Sequence, residues 1–311
     1  MSAGQERIEA VSDNRYVMLE RGVLAITGEE ARPFLQGLIS NDIEKVGPDR
    51  AIYAALLTPQ GKCLFDFFIA QREDGLFLDV EAHRLPALLQ RLTMYKLRAK
   101  VDIADVSGDF CVAALLGASV FQDVGLSDQP GAAAPLGGGV AFVDPRLSAL
   151  GARAILPKAS AAASLEAPEA LGLQAGPAED YDRTRFAAGV PEGSTELGID
   201  KSPLLELGFE ELGGVDFDKG CFVGQELTAR MKYRGLVRKR LLPVTFEGGS
   251  PPPGAVIKAG ARTIGELRAA TGDRGFAVLR IDKLKESVER GETLSADDVI
   301  VTPVKPAWVN F

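Results

Sequence analysis

Lys219-Gly220-Cys221-Phe222-Val223-Gly224-Gln225-Glu226 is the most informative stretch of this 311-residue chain. It places a cysteine between two glycines, with a lysine two residues before it. Glycine lets the backbone turn where larger residues cannot, and Leu227-Thr228-Ala229-Arg230 continues the stretch as a predicted helix. A cysteine beside a cation and a helix amino terminus is favoured in its reactive thiolate form. The residues alone leave two interpretations open: a functional thiol, or a packing role where domains join.

The neighbours of Cys221 have both functional and structural interpretations. Lys219 is placed to favour the thiolate or to bind an anion, and it is equally well explained as a solvated loop lysine. Gln225 and Glu226 fall in a first helical turn, where they suit the helix dipole. Arg230 follows Glu226 at the spacing of a helical ion pair.

The composition excludes several classes of protein. The chain is 46% hydrophobic and 25% charged, with a formal net charge of −8, which argues against a dedicated nucleic-acid binder because such domains are usually basic. No apolar run is long enough to span a bilayer. Residues 1–14 lack both an apolar signal core and an Arg-rich transit pattern. We therefore expect a cytoplasmic protein with two or three domains.

The number and spacing of the cysteines and the single histidine argue against a metal site built by this chain. Cys63, Cys111 and Cys221 are far apart, and His83 is alone. Four closely spaced ligands are missing, so we expect no structural zinc site and no cluster held by one chain. Cys63 and Cys111 stand in apolar runs and are predicted to be inert, buried thiols.

The pattern along the chain predicts an α+β protein with a separate carboxyl-terminal unit. We predict helices within 28–42, over 85–97 and 159–171, and after Gly224, and an irregular segment over 181–214. Turn sequences between short alternating runs favour antiparallel pairing. The closely spaced strands after 241 favour a compact barrel or sandwich. The predicted strands are 17–19, 23–26, 51–57, 63–70, 76–80, 101–106, 110–116, 141–143, 152–156, 242–246, 255–258, 263–269, 275–281, 293–295 and 299–304.

A basic segment leads into that last unit. Residues 230–240 hold six basic side chains and no acidic one. A solvated connector explains most of them. The alternative is an anion site for a ligand carboxylate or for the acidic face of a partner.

The cysteine stretch resembles the K-G-C-Y-x-G-Q-E signature of the folate-binding YgfZ family, with Phe222 in place of the usual tyrosine. That family is related to the T-protein, the aminomethyltransferase of the glycine cleavage system. The cysteine motif is highly specific, and the resemblance covers most of the chain. The other stretches that are similar to the family's sequence are 28–42, 57–62, 95–103 and 185–192.

The resemblance implies a three-lobed, T-protein-like α+β fold with antiparallel sheets, a central opening for tetrahydrofolate and a carboxyl-terminal β-barrel. Its implied domains are a discontinuous folate-binding unit (1–50 and 101–230), an inserted unit (51–100) and a barrel (236–311). It also implies a role in assembling or repairing iron–sulfur clusters, with client enzymes or assembly proteins as partners, in the bacterial cytoplasm. The site residues that follow are Cys221 and Lys219 for chemistry, and Asp42, Arg98, Glu192, Gln225, Glu226, Arg230 and Lys232 for folate.

Two departures from the T-protein argue against glycine cleavage. Ala87 stands near the position of its catalytic aspartate, and the T-protein lacks the cysteine motif. Three hypotheses remain: an accessory protein for iron–sulfur clusters, a folate-dependent one-carbon transferase, and a non-catalytic scaffold in which Cys221 is structural.

Overall fold

The computed structural model describes residues 13–73, 75–167 and 170–310, so the amino-terminal segment interpreted above as a short lead-in lies mostly outside it. In the described residues, no helix is both long and apolar enough for a bilayer crossing. The strands, in chain order, are β1 (Arg15–Leu19), β2 (Arg21–Thr27), β3 (Ile52–Leu57), β4 (Cys63–Arg72), β5 (Gly75–Glu81), β6 (Asp102–Asp105), β7 (Phe110–Leu116), β8 (Ala133–Leu136), β9 (Gly139–Val143), β10 (Ala152–Pro157), β11 (Gln174–Ala175), β12 (Lys239–Glu247), β13 (Val256–Ala259), β14 (Arg262–Thr271), β15 (Arg274–Arg280), β16 (Leu294–Ala296) and β17 (Val299–Pro303). The helices are α1 (Ala31–Gln36), α2 (Leu85–Lys96), α3 (Val120–Val124), α4 (Ala161–Glu166), α5 (Ala178–Ala188), α6 (Gly193–Leu197), α7 (Gln225–Arg234) and α8 (Ile281–Glu289), with 3-10 turns at Ile43–Lys45, Ala82–Arg84, Ser148–Leu150 and Leu204–Leu207.

The first sheet has five antiparallel strands in the order β3-β4-β5-β2-β6. The predicted meander of β3, β4 and β5 is confirmed. Leu85, Leu88 and Leu92 of α2 are buried with Leu35 of α1 on one face of this sheet, as their helical spacing requires. α1 lies within the predicted range but is short, and Glu30 just before it accepts a hydrogen bond from the backbone of Lys100 (2.6 Å).

The second sheet has six strands in the order β11-β1-β7-β10-β9-β8. β1 belongs to it while β2, one residue later, belongs to the first sheet, so Glu20 is where the chain crosses between them. The predicted pairing of β9 with β10 is confirmed. α4 ends at Glu166, earlier than predicted. Ala167 precedes a proline in the sequence, and steric contact with the proline ring disfavours the helical conformation at that position.

The third sheet is the closed carboxyl-terminal barrel, in the order β12-β15-β14-β13-β16-β17. This confirms the predicted barrel, and it has its own buried core. Helix α8 was missed by the sequence analysis, although Ile281 and Leu284 have helical spacing. The described residues therefore form an α+β structure of two sheets, antiparallel apart from the parallel β1–β11 pair, and a closed barrel.

The three units meet in one shared core. It contains Tyr53 and Phe68 from the first sheet, Phe142 from the second and Phe276 from the barrel. Phe222 of the cysteine motif is 8% exposed and belongs to the same core. The motif is therefore fixed at the place where the units join.

Buried ions also join the two sheets. Asp79 on β5 accepts hydrogen bonds from Arg21 on β2 (2.5 Å) and from Arg153 on β10 (2.7 Å). Glu192 accepts a hydrogen bond from Arg146 (2.8 Å). Burial alone would raise the pKa of Glu192, but Arg146, Arg153 and Arg21 together hold it well below its usual range. Each of these buried arginines is thus paired with a buried carboxylate where the two sheets face each other.

Part of the predicted irregular segment is helical. It holds α6 and most of α5, which begins just before it, and a bidentate ion pair between Arg185 and Glu196 joins the two helices (2.7 and 2.8 Å). These helices have little apolar periodicity, so the sequence pattern did not indicate them. The predicted division into a 1–50 and 101–230 unit and an inserted 51–100 unit remains a prediction. Strands β2 and β6, which flank the inserted segment, are hydrogen-bonded into its sheet.

Candidate functional site

The cysteine motif forms a loop that presents its thiol outward. Cys221 is exposed, while the next residue, Phe222, is buried in the shared core. Gly220 has a φ of 92°, and a side chain there would meet open space. A buried aromatic anchor directly after the cysteine therefore fixes the backbone that carries an accessible sulfur.

Lys219 anchors the start of this loop. Its Nζ donates to the carbonyl oxygens of Gln36 (2.7 Å) and Ile39 (2.6 Å), at the end of α1, and lies 5.2 Å from the centre of the Phe222 ring. Burial lowers the pKa of Lys219 to about 8, against the opposing influence of Asp42 and Asp216. These contacts give Lys219 a clear anchoring role, while its predicted catalytic role remains a prediction.

The other end of the loop is held by backbone contacts. The amide of Val223 donates to the carbonyl of Gly37 (3.2 Å), and the side chain of Gln225 accepts from the amide of Phe222 (3.2 Å). Gly224 has a φ of 80°, and a Cβ there would lie 2.4 Å from the carbonyl oxygen of Thr58. Helix α7 begins at the next residue, as predicted. The glycine is therefore required both by its conformation and by this close approach.

Two carboxylates brace the segment before the motif. Asp216 accepts from Lys45 (2.5 Å) and from the amide of Asp218 (2.7 Å), and these contacts lower its pKa against the opposing effect of burial. Asp42 accepts from the side chain of Gln36 (2.8 Å), whose amide also donates to the carbonyl of Lys219 (3.2 Å). Asp42, predicted to bind folate, therefore lies beside the cysteine loop.

The remaining cysteines differ from Cys221. Cys63 is buried, and burial raises its pKa well above the ordinary value. Cys111 is half-buried, and partial burial raises its pKa as well. Both thiols are therefore held in the protonated, unreactive form.

The other predicted folate residues fall into two groups. Glu226 and Arg230 are exposed on α7, and Lys232 is paired with Glu210. The second group lies elsewhere in the fold. Arg98 is exposed in the turn after α2, and no contact described for it reaches the cysteine loop. Glu192 lies in the buried ionic network between the sheets.

A cleft of about 560 Å³ opens next to the motif loop. Segments 41–53, 129–130, 145–147 and 211–215 line it. Its wall includes Tyr53 and Leu147, and Arg50 brings an exposed cation for which no ion pair is described. Cys221 does not line the cleft, but Val215, six residues earlier, does. The cleft therefore adjoins the segment that leads into the motif, and the thiol lies outside it.

The sequence analysis missed the charged residues of this cleft. Arg146 lines it and is fixed from behind by Asp144 and Glu192. Arg153, behind the cleft, interrupts the apolar run of β10. A charged residue inside an apolar strand is an unusual signal, and it could have indicated this buried network.

We expect Lys219→Met to loosen the cysteine loop because two hydrogen bonds from a charged group are lost. A bond of this kind contributes about 1.5–3 kcal/mol. Urea unfolding and amide hydrogen exchange over 219–224 measure the effect. Arg230→Met is the control, since Arg230 is exposed and the described residues form no ion pair with it. Equal exchange rates in the two variants would contradict the anchoring role.

The chain matches two domain families. Residues 18–122 match the GCVT N-terminal domain, and residues 238–311 match the CAF17 C-terminal beta-barrel domain. The second range agrees with the closed barrel that begins at β12.

Whole-chain similarity extends to curated proteins. The iron-sulfur cluster assembly factor IBA57, mitochondrial, of Mus musculus is 33% identical over 93% of this chain and 83% of its own length. The Homo sapiens protein of the same name is 31% identical, with the same coverage. The IBA57 homolog of Mycosarcoma maydis is 35% identical over 76% of this chain, which spans only 58% of that longer protein.

A solved structure has the same fold. The glycine cleavage system aminomethyltransferase T from Bartonella henselae superposes with a TM-score of 0.76, covering 98% of this chain and 89% of that one. Its sequence identity of 16% makes this a likeness of fold alone. Together with the relatives and the two domain matches, it shows that the chain belongs to the IBA57/CAF17 family of YgfZ-type proteins, which is related to the aminomethyltransferase T-protein.

Proposed function

We propose that this chain is an iron–sulfur cluster assembly factor that binds tetrahydrofolate and acts through the thiol of Cys221. The observation that carries the proposal is the exposed sulfur on a loop anchored at both ends. Relatives sharing about a third of its residues are named as iron-sulfur cluster assembly factors, which supports the same role here. Assembly proteins or client enzymes are the proposed partners.

The loop chemistry supports a reactive thiol. A thiol that only packed would be expected among apolar side chains, as Cys63 is. Cys221 instead stands in solvent four residues before helix α7, where a partner can reach it. Phe222, Lys219 and Gly224 hold the backbone on both sides of it. The sulfur can therefore meet a partner without a large rearrangement of the loop.

The cleft beside the loop fits a folate. Its volume lies within the range of about 300–1,000 Å³ that is typical of small-molecule sites. Leu147 offers partly exposed apolar surface for a pterin ring, Tyr53 backs the wall from the core, and Arg50 offers an exposed cation for the glutamate carboxylates. When bound, tetrahydrofolate would supply a carrier for one-carbon units.

Several residues of the chain would orient the ligand. Arg146 is fully buried and paired with Asp144 and Glu192, so it braces the cleft wall from behind. Asp42, Gln225, Glu226, Arg230 and Lys232 remain proposed contacts near the cysteine loop. Arg98 and Glu192 were also predicted to bind folate, and none of these seven residues lines the cleft itself. Glu192 instead supports a folate through Arg146.

The bacterial cytoplasm is the proposed compartment. It rests on the resemblance of the cysteine motif to the YgfZ family. The relatives cited above are named as mitochondrial proteins. Fractionation of cells that produce the chain tests this proposal.

A thermal-shift titration with tetrahydrofolate tests the folate proposal. We expect the melting temperature to rise, because a ligand at a hundredfold excess over its Kd stabilises the native state by about 2.7 kcal/mol. Arg50→Ala should weaken this shift, while Arg290→Ala, an exposed arginine on the barrel unit, should leave it unchanged. No shift in the wild-type protein, or equal shifts in both variants, would contradict folate binding in this cleft.

A further inference from the structure

The basic segment after the cysteine motif is the largest feature that the proposed function does not explain. Of its six basic side chains, two have partners: Arg240 forms a bidentate pair with Glu211, and Lys232 pairs with Glu210. The other four, Arg230, Arg234, Arg238 and Lys239, are exposed, and the described residues form no ion pair with them. On a chain of net charge −8, this is a local concentration of uncompensated positive charge.

Large apolar side chains accompany these cations. Tyr233 is 74% exposed and Leu236 is 38% exposed. Tyr233 contacts the ring of Phe217 edge-on, with centroids 6.4 Å apart, which fixes its orientation. Thr228 and Met231 face inward, so Arg230, Tyr233 and Arg234 lie on the outward side of α7. We call these three residues, together with Leu236 and Arg238, the α7 face.

The composition of the α7 face is that of a protein interface. Tyrosine and arginine are enriched in interfaces and carry most of their binding energy. A nucleic-acid site would be expected to carry a wider basic surface, whereas this chain is acidic overall. Glu226 is the one acidic residue on the first turn of α7, so the positive charge is concentrated toward the carboxyl end of the helix.

We infer that the α7 face docks an acidic protein partner and delivers it to Cys221. Charge complementarity identifies the partner's chemistry: a surface of carboxylates around an apolar patch that accepts Tyr233 and Leu236. The helix begins four residues after the cysteine and has ten residues, so it is about 15 Å long. A protein-sized partner seated on the α7 face can therefore extend along the helix to the thiol. The inference deepens the proposed function and rests on it, since an assembly factor must meet its partner at the reactive residue.

The test begins with a photo-crosslinking amino acid at Tyr233 in the full-length chain, produced in cells. The captured partner is then purified, and its Kd is measured with the wild-type chain and with the double variant Arg234→Glu, Arg238→Glu. We expect the reversal to raise Kd at least about tenfold, and added salt to raise the wild-type Kd. Arg234→Gln, Arg238→Gln should give a smaller loss, since it removes charge without adding repulsion.

The control is the double variant Lys258→Glu, Arg290→Glu, which reverses two exposed charges on the barrel unit and should bind like the wild type. Capture of nucleic acid or of a second copy of this chain would overturn the inference, as would a Kd unaffected by the reversal or an absence of any crosslinked product. Cys221→Ser separates this proposal from the previous one, because docking should survive loss of the thiol. If the reversal variants bind partner normally and only Cys221→Ser loses function, the docking surface alone is wrong.

Discussion

Replacing Asp79 with asparagine should lower the free energy of unfolding by about 3–5 kcal/mol, because it removes the nearest counter-charge of two buried arginines and leaves them only the more distant Glu192 (3.4 and 3.6 Å). Arg21 and Arg153 both donate to this carboxylate, and all three side chains are at most 4% exposed. The three lie on both sheets, so the variant weakens the contact between them. Urea denaturation at neutral pH measures the loss.

Asp66→Asn is the matched control, from the neighbouring strand. Asp66 is also buried, but its side chain accepts only from the hydroxyl of Tyr53 (3.1 Å) among the contacts described. Burial raises its pKa. A folded-state pKa above the unfolded value costs stability as pH rises, so the asparagine variant should be as stable as the wild type, or more stable, at pH 7. Equal destabilisation by both substitutions would contradict the assigned charge balance.

Gly224→Ala should also be strongly destabilising. The left-handed conformation costs an alanine about 1–2 kcal/mol, and the new Cβ would lie 2.4 Å from the carbonyl of Thr58, which adds about 1–3 kcal/mol of overpacking. The turn between β3 and β4 must then move away from the cysteine loop. Urea unfolding gives the size of the effect, and hydrogen exchange over 219–224 locates it.

Gly220→Ala provides the comparison. Gly220 has a similar φ of 92°, but a Cβ there has nothing within 4 Å. The Gly220→Ala variant should therefore be destabilised only by the cost of about 1–2 kcal/mol that the left-handed conformation imposes on an alanine. If the two variants are equally stable, the close approach of Gly224 to the β3–β4 turn is not important for the loop.

The sequence predicted the parts of the fold that have strong local periodicity. The β3–β5 meander alternates with clear turns, α2 repeats leucine at helical spacing, and the barrel strands are separated by glycine and proline. The cysteine motif also indicated the exposed thiol. α5 and α6 could not be predicted in this way, because their buried positions include charged residues such as Arg185 and Glu196 and so show no apolar periodicity.

The candidate site was only partly predictable for a similar reason. The motif is contiguous, so its helix start and its cysteine could be recognised directly. The cleft is assembled from four separated segments, and Arg50, Tyr53 and Arg146 come together only through the sheet topology. Lys219 was interpreted from its distance to Cys221 along the chain, whereas its partners lie about 180 residues earlier.

Complementation of a cell that lacks this protein is the most direct test of the account. Cys221→Ser replaces the sulfur with oxygen and leaves the anchors of the loop intact, so the variant should fold and bind tetrahydrofolate like the wild type. We predict that it fails to restore the activity of iron–sulfur enzymes, while Cys111→Ser restores it. Full restoration by Cys221→Ser would contradict the claim that this thiol carries the function.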